Sequence, residues 1–150
     1  MRWPARVELL ARRPAVIVDS AHNPASIDAL LAVLDESFSV RRRFLVFAAT
    51  DEKDVRGMLQ RLLGRFDEVL FTRYLDNPRA VPPERLRDLG AVRSAQPCPV
   101  FARPADAWDA VSARAGPEDL VCVTGSFFIA AEMRRQIRAR PHVAPPPDGG

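Results

Sequence analysis

Lysine is almost missing from this 150-residue chain: of 22 basic residues, all but Lys53 are arginine. Cysteine is nearly as scarce. Cys98 sits between two prolines and Cys122 in an apolar run, without the close spacing of a metal site or redox pair, so both are expected to be free thiols. No apolar run reaches the roughly 18 residues that a membrane-crossing helix requires. The amino terminus, Met1-Arg2-Trp3-Pro4, lacks the apolar stretch and cleavage site of a signal peptide. These absences lead us to expect a soluble, cytoplasmic protein with no membrane partner. The seven glycines are scattered, two of them at the very end, and no Gly-x-x-x-x-Gly-Lys-Ser/Thr segment or other glycine-rich loop occurs. Nothing in the chain therefore cradles the β- and γ-phosphates of a nucleotide or places a magnesium ion. Aromatic residues make up 7% of the chain, and no stacking platform accompanies the run Arg41-Arg42-Arg43. That run reads as the solvated entrance to a strand, and no nucleic-acid partner is expected.

What is present is enough apolar material, 47%, to bury one core. The sequence predicts one domain over residues 1–140. The tail, 141–150, is rich in Pro and Gly with little to bury, and is expected to be disordered. Net charge is only +3. The lone lysine falls inside the acidic cluster Asp51-Glu52-Lys53-Asp54, where a compact, mobile ammonium differs in kind from a planar guanidinium.

Short apolar runs alternate with amphipathic stretches. Strands are expected at residues 15–19, 44–48, 68–72 and 120–124, with a short one at Val100 and Phe101; helices are expected at 24–38, 54–63, 83–89, 105–115 and 126–139. Strands of about five residues, apolar on both faces and separated by helices, call for a parallel sheet covered on both sides. A further extended segment, 6–10, is joined to the first parallel strand by a link too short for a crossover, which implies an antiparallel edge. The predicted fold class is α/β, a Rossmann-like, doubly wound mixed sheet of about six strands, mostly parallel.

In such sheets ligands bind beyond the carboxyl ends of the strands. Those ends carry 19–24, 50–54, 72–79 and 124–126, all polar. Within Asp19-Ser20-Ala21-His22-Asn23-Pro24, Asp19 can accept hydrogen bonds from sugar hydroxyls and His22 can donate to a phosphate oxygen. Asn23 is placed to cap the helix that Pro24 begins. A well-capped turn with a merely solvated His is the plainer reading of the same residues.

Asp-x-Ala-His-Asn-Pro resembles the signature of the carboxy-terminal domain of the Mur ligase superfamily, which includes folylpolyglutamate synthases, dihydrofolate synthases and the peptidoglycan-building amino-acid ligases. Three further segments resemble the folate branch: Trp3-Pro4-Ala5-Arg6-Val7-Glu8 its Trp-Pro-Gly-Arg-x-Glu segment, Asp51 to Asp54 its Asp-Lys-Asp segment, and Thr124-Gly125-Ser126 its terminal Thr-Gly-Ser turn. Ala5 and Ser20 stand where that branch carries Gly. The resemblance implies an ATP-dependent, Mg2+-assisted ligation of L-glutamate to folate through an acyl phosphate, with this domain closing over a nucleotide held mainly by a separate N-terminal or central ATP-binding domain. In that scheme Arg6, Asp19, His22 and Asn23 would contact the nucleotide, and Lys53 and His22 would act in catalysis. Ser126 and Arg79 would contact substrate. No metal ligand is assigned in this chain, which is expected to be inactive alone, as a fragment of a longer ligase or a detached lid. Plainer roles stay open: Arg6 pairing with Glu8, Ser126 as a helix cap, Arg79 in a loop. A cell-wall Mur-type amino-acid ligase and a non-catalytic binding module are the alternatives to the folate enzyme.

Overall fold

The computed structural model describes residues 7–91 and 98–139. Arg6 and the segment around Trp3, as well as the tail from 141, lie outside them. Strand β1 (Val7–Arg12) turns directly into β2 (Ala15–Asp19), followed by α1 (Pro24–Ser37), β3 (Arg43–Phe47), α2 (Val55–Leu62), β4 (Glu68–Phe71), α3 (Pro83–Ala91), α4 (Pro104–Arg114), β5 (Leu120–Thr124) and α5 (Phe127–Ala139). The sheet has five strands in the order β1-β2-β5-β3-β4. β1 pairs antiparallel with β2 and the remaining pairs are parallel, as expected from the short first link.

The expected sixth strand is a correction. Val100 makes only an isolated parallel bridge to Phe71. Pro99 and Phe101 add backbone hydrogen bonds to Phe71, but proline carries no amide hydrogen with which to continue a ladder, and Pro104 starts the next helix at once.

Alternation along the strands builds two cores. Ile17, Leu45, Phe47, Phe71 and Cys122 point to one face, against α1, α2 and α3; Val16, Val18, Phe44, Val46, Val121 and Val123 point to the other, against α4 and α5. The helices supply matching stripes. On α1 the buried residues are Ile27, Leu30, Leu31 and Leu34, spaced i, i+3, i+4, i+7. Leu34 is fully buried, so Leu34→Ala removes methyl groups with no room for collapse, a change that costs roughly 2–5 kcal/mol.

The topology sets where function can sit. The chain runs from β2 out to β3 and β4 with helices on one face, then returns to β5, between β2 and β3, with helices on the other. The exits of β2 and β3 thus lead to one face and that of β5 to the opposite one. The crevice opened by such a reversal lies at the carboxyl ends of these three strands.

Candidate functional site

At the centre of this rim the chain turns sharply after β5. Gly125 has φ +122, and a Cβ there would collide with the carbonyl oxygen of Ala48 and the Phe47 ring. Only glycine allows the turn to lie this close to the end of β3. Thr124 reaches across to the Asp19 carboxylate at 3.4 Å, and the Ala48 amide donates to the Thr124 carbonyl at 3.3 Å, so the exits of β2, β5 and β3 form one continuous platform.

Asp19 is fully buried, and its Oδ2 accepts from the Ala21 amide at 2.8 Å. In this conformation it braces the turn from inside instead of presenting a carboxylate to a sugar. His22 and Asn23 stand exposed at the start of α1. Asn23 and Ser26 form a reciprocal capping box, with Asn23 Oδ1 accepting from the Ser26 amide at 2.8 Å. The expected cap is therefore present. His22 Nδ1 lies 3.1 Å from the Ser20 carbonyl. A carbonyl only accepts, so Nδ1 carries the hydrogen, and Nε2 can donate to a phosphate oxygen only as the imidazolium.

The Lys53 turn follows β3. Lys53 is exposed, while its neighbours are occupied: Asp54 caps α2 by accepting from the Gly57 amide at 2.9 Å, and Glu52 receives the Arg79 guanidinium at 3.0 Å. Glu52 has φ 74, a left-handed conformation that costs a side-chain-bearing residue on the order of 1–3 kcal/mol. A cavity of about 310 Å³, lined by Lys53, Arg56, Arg85 and the flanking acids, opens beside it. A Cβ on Gly57 would come 2.9 Å from the Pro24 ring, so the amino-terminal turns of α1 and α2 lie directly against each other. The positive ends of two helix dipoles are thereby neighbours, a favourable setting for anions.

Arg79 joins this turn through the pairing of 49–51 with 79–81: the Asp51 amide donates to the Arg79 carbonyl at 2.8 Å and the Val81 amide to Ala49 at 2.9 Å. Ser126 is 1% exposed and its Oγ accepts from the Ile129 amide at 3.0 Å, the helix-cap alternative. Asp19, His22, Lys53 and Ser126 thus share one rim, but as two buried braces and two exposed groups.

Sequence reasoning missed the roles of four residues. Glu132, buried on α5, accepts from the amides of Leu75 and Asp76 at 2.8 and 3.2 Å and so holds the loop that carries Arg79. Its signal was an acid set among the apolar positions of α5, Ile129, Ala130, Met133 and Ile137. Thr50 and Tyr74 share a buried hydrogen bond of 2.6 Å beneath the same loop, and burial raises the Tyr74 pKa. Phe127, at the start of α5, is 67% exposed, a large apolar side chain left on the rim.

The sequence model of the family described as "Mur ligase, glutamate ligase domain" matches residues 5–127. Dihydrofolate synthase/folylpolyglutamate synthase of Escherichia coli is 33% identical over 138 residues, covering 91% of this chain and 31% of the relative. The solved structure of E. coli FolC in complex with ADP, without folate substrate, superposes with a TM-score of 0.81 at 31% identity, covering 93% of this chain and 33% of that one. The UDP-N-acetylmuramoyl-L-alanyl-D-glutamate–2,6-diaminopimelate ligase of Alkalilimnicola ehrlichii is 37% identical over 130 residues, covering 81% of this chain and 25% of the relative. The chain thus spans about a third or less of the length of the proteins it matches.

Proposed function

Because the chain belongs to the Mur ligase glutamate ligase domain family, we propose that it serves as the closing domain of an ATP-dependent folylpolyglutamate synthase, contributing one wall of a site whose phosphate-holding apparatus lies in a separate ATP-binding domain. The observation that carries this reading is the match along 91% of the chain to a dihydrofolate synthase/folylpolyglutamate synthase, in a molecule whose polar strand exits gather on one rim. In the reaction, a folate carboxylate oxygen takes the γ-phosphoryl group of ATP and ADP leaves. The amine of glutamate then attacks the acyl carbon, phosphate departs, and an amide forms.

The rim's part is orientation and electrostatics, effects able to change rates by orders of magnitude without a covalent bond. The first turn of α1, with His22 and the Asn23 cap, faces nucleotide oxygens. Lys53 places a mobile ammonium beside the α2 amino terminus, against the developing phosphate charge. Arg79, held by Glu52, is available to a substrate carboxylate, and Arg6 to the nucleotide. Asp19 and Ser126 act by shape, one fixing the turn before α1 and the other the start of α5. A divalent ion, when bound, would supply charge neutralisation to the phosphates, and no residue of this chain is assigned to hold it.

The test is a chimera in which this chain replaces the corresponding third of the E. coli relative. Folate- and glutamate-dependent ADP release is expected from the chimera and not from the chain alone. Lys53→Ala or His22→Ala should lower the chimera's rate at least about tenfold, on the scale of a lost positioned charge. ADP release driven by a uridine-diphosphate sugar peptide in place of folate would favour the second reading, a cell-wall amino-acid ligase, which the diaminopimelate ligase relative supports.

A further inference from the structure

The end of the sheet opposite the rim carries a second concavity, a groove of about 600 Å³ between the β1–β2 turn, the carboxyl end of α1 and the segment before β5. That volume lies within the range of small-molecule sites. Leu9, Phe38, Val40 and Pro117 line it together with Arg12, Arg13, Glu118 and Asp119.

Of the two arginines that line it, one is paired. Glu118 is matched by Arg13 at 2.6 Å. Asp119, with its side chain fully buried, is shared by two guanidiniums, Arg41 at 3.2 Å and Arg42 at 3.1 Å, and also accepts from the Gly116 amide at 2.8 Å. Among the charged residues that line the groove, two guanidiniums, Arg12 and Arg13, meet two carboxylates, Glu118 and Asp119. Arg12 is exposed and, among the described residues, has no acidic partner. Apolar lining beside a guanidinium without an acidic partner suits an organic anion that packs its body against Leu9, Phe38 and Val40 and pairs its charge with Arg12.

We propose that this groove is a second ligand site, for a small organic carboxylate with an apolar body. It is separate from the rim, at the other end of β2 and β5, and does not depend on the ligase reading. Naphthalene-2-carboxylate is a suitable probe, with the neutral naphthalene-2-carboxamide as its control.

In amide NMR titrations of the full chain, the carboxylate should produce saturable shifts at residues 12–15, 38–40 and 118–119 and bind at least fivefold more tightly than the carboxamide. Arg12→Ala, at an exposed side chain, should leave thermal stability unchanged and erase that fivefold preference. Ser39→Trp, which fills the groove from an exposed position, should weaken both probes at least tenfold. Shifts confined to the rim, near His22, Lys53 or Phe127, would overturn the proposal, as would shifts that never saturate or an Arg12→Ala protein that keeps the preference.

Discussion

The two ends of the sheet treat charge in opposite ways. At the amino ends of the parallel strands Asp119 is buried and locked between Arg41, Arg42 and an amide, and Arg43 is drawn to Asp35. At the carboxyl ends the buried polar groups, Asp19, Thr124 and Ser126, hold the turns together, while His22, Lys53 and Arg79, the last paired with Glu52, are exposed. Around Asp119 charge closes the molecule, whereas the rim keeps Lys53 exposed. Stability and binding at the rim should therefore respond to mutation at different ends.

The largest expected effect comes from breaking the closed end. Asp119→Ala leaves the Gly116 amide and two guanidiniums without their shared acceptor and should lower unfolding free energy by roughly 3 kcal/mol, measured by urea denaturation. The same residue sets an acid limit. Burial pushes its carboxyl up, but the Arg41 hydrogen bond, the Gly116 amide and Arg42 outweigh that and hold it at about 2, below its ordinary 3.8. A carboxyl depressed in the folded state contributes stability above its unfolded value and loses it as pH falls through the folded one. The melting temperature of the native chain should thus fall more steeply between pH 3.8 and about 2 than that of Asp119→Asn.

Next in size is Gly125→Ala at the open end. It places a methyl group against the Ala48 carbonyl at φ +122 and should cost about 2 kcal/mol, by thermal or urea unfolding. A smaller loss, about 1 kcal/mol, is expected from Ser126→Ala, which removes the α5 cap. Smallest of all, Lys53→Ala should leave stability within about 0.5 kcal/mol, since its side chain is exposed; paired with a loss of ligase rate in the chimera, it would sharpen the contrast most.

Much of the fold was legible because both periodicities are clean. The runs at 15–19 and 120–124 and the caps at Asn23 and Ser126 sit where local chemistry alone puts them. Val100 was misread because two β-forming residues imitate a strand when the flanking prolines are given too little weight. The Arg41-Arg42-Arg43 run looked like a solvated entrance, yet Arg41 and Arg42 hold a buried acid 77–78 residues away and the Arg43 side chain is only 17% exposed. Such long-range pairings leave no local trace. For the candidate site, the strand exits named from the sequence gather on one rim, and burial divides their residues: Asp19 and Ser126 look like ligand-contacting groups in sequence and brace turns in the fold.

Glu132 ties two consecutive amides of a loop 56–57 positions earlier in the chain to the second turn of α5. That loop continues to Arg79, which grips Glu52 in the lysine turn. The helix, the loop and the turn are therefore joined in series through two side chains, Glu132 and Arg79, although no residue of α5 adjoins the lysine turn in sequence.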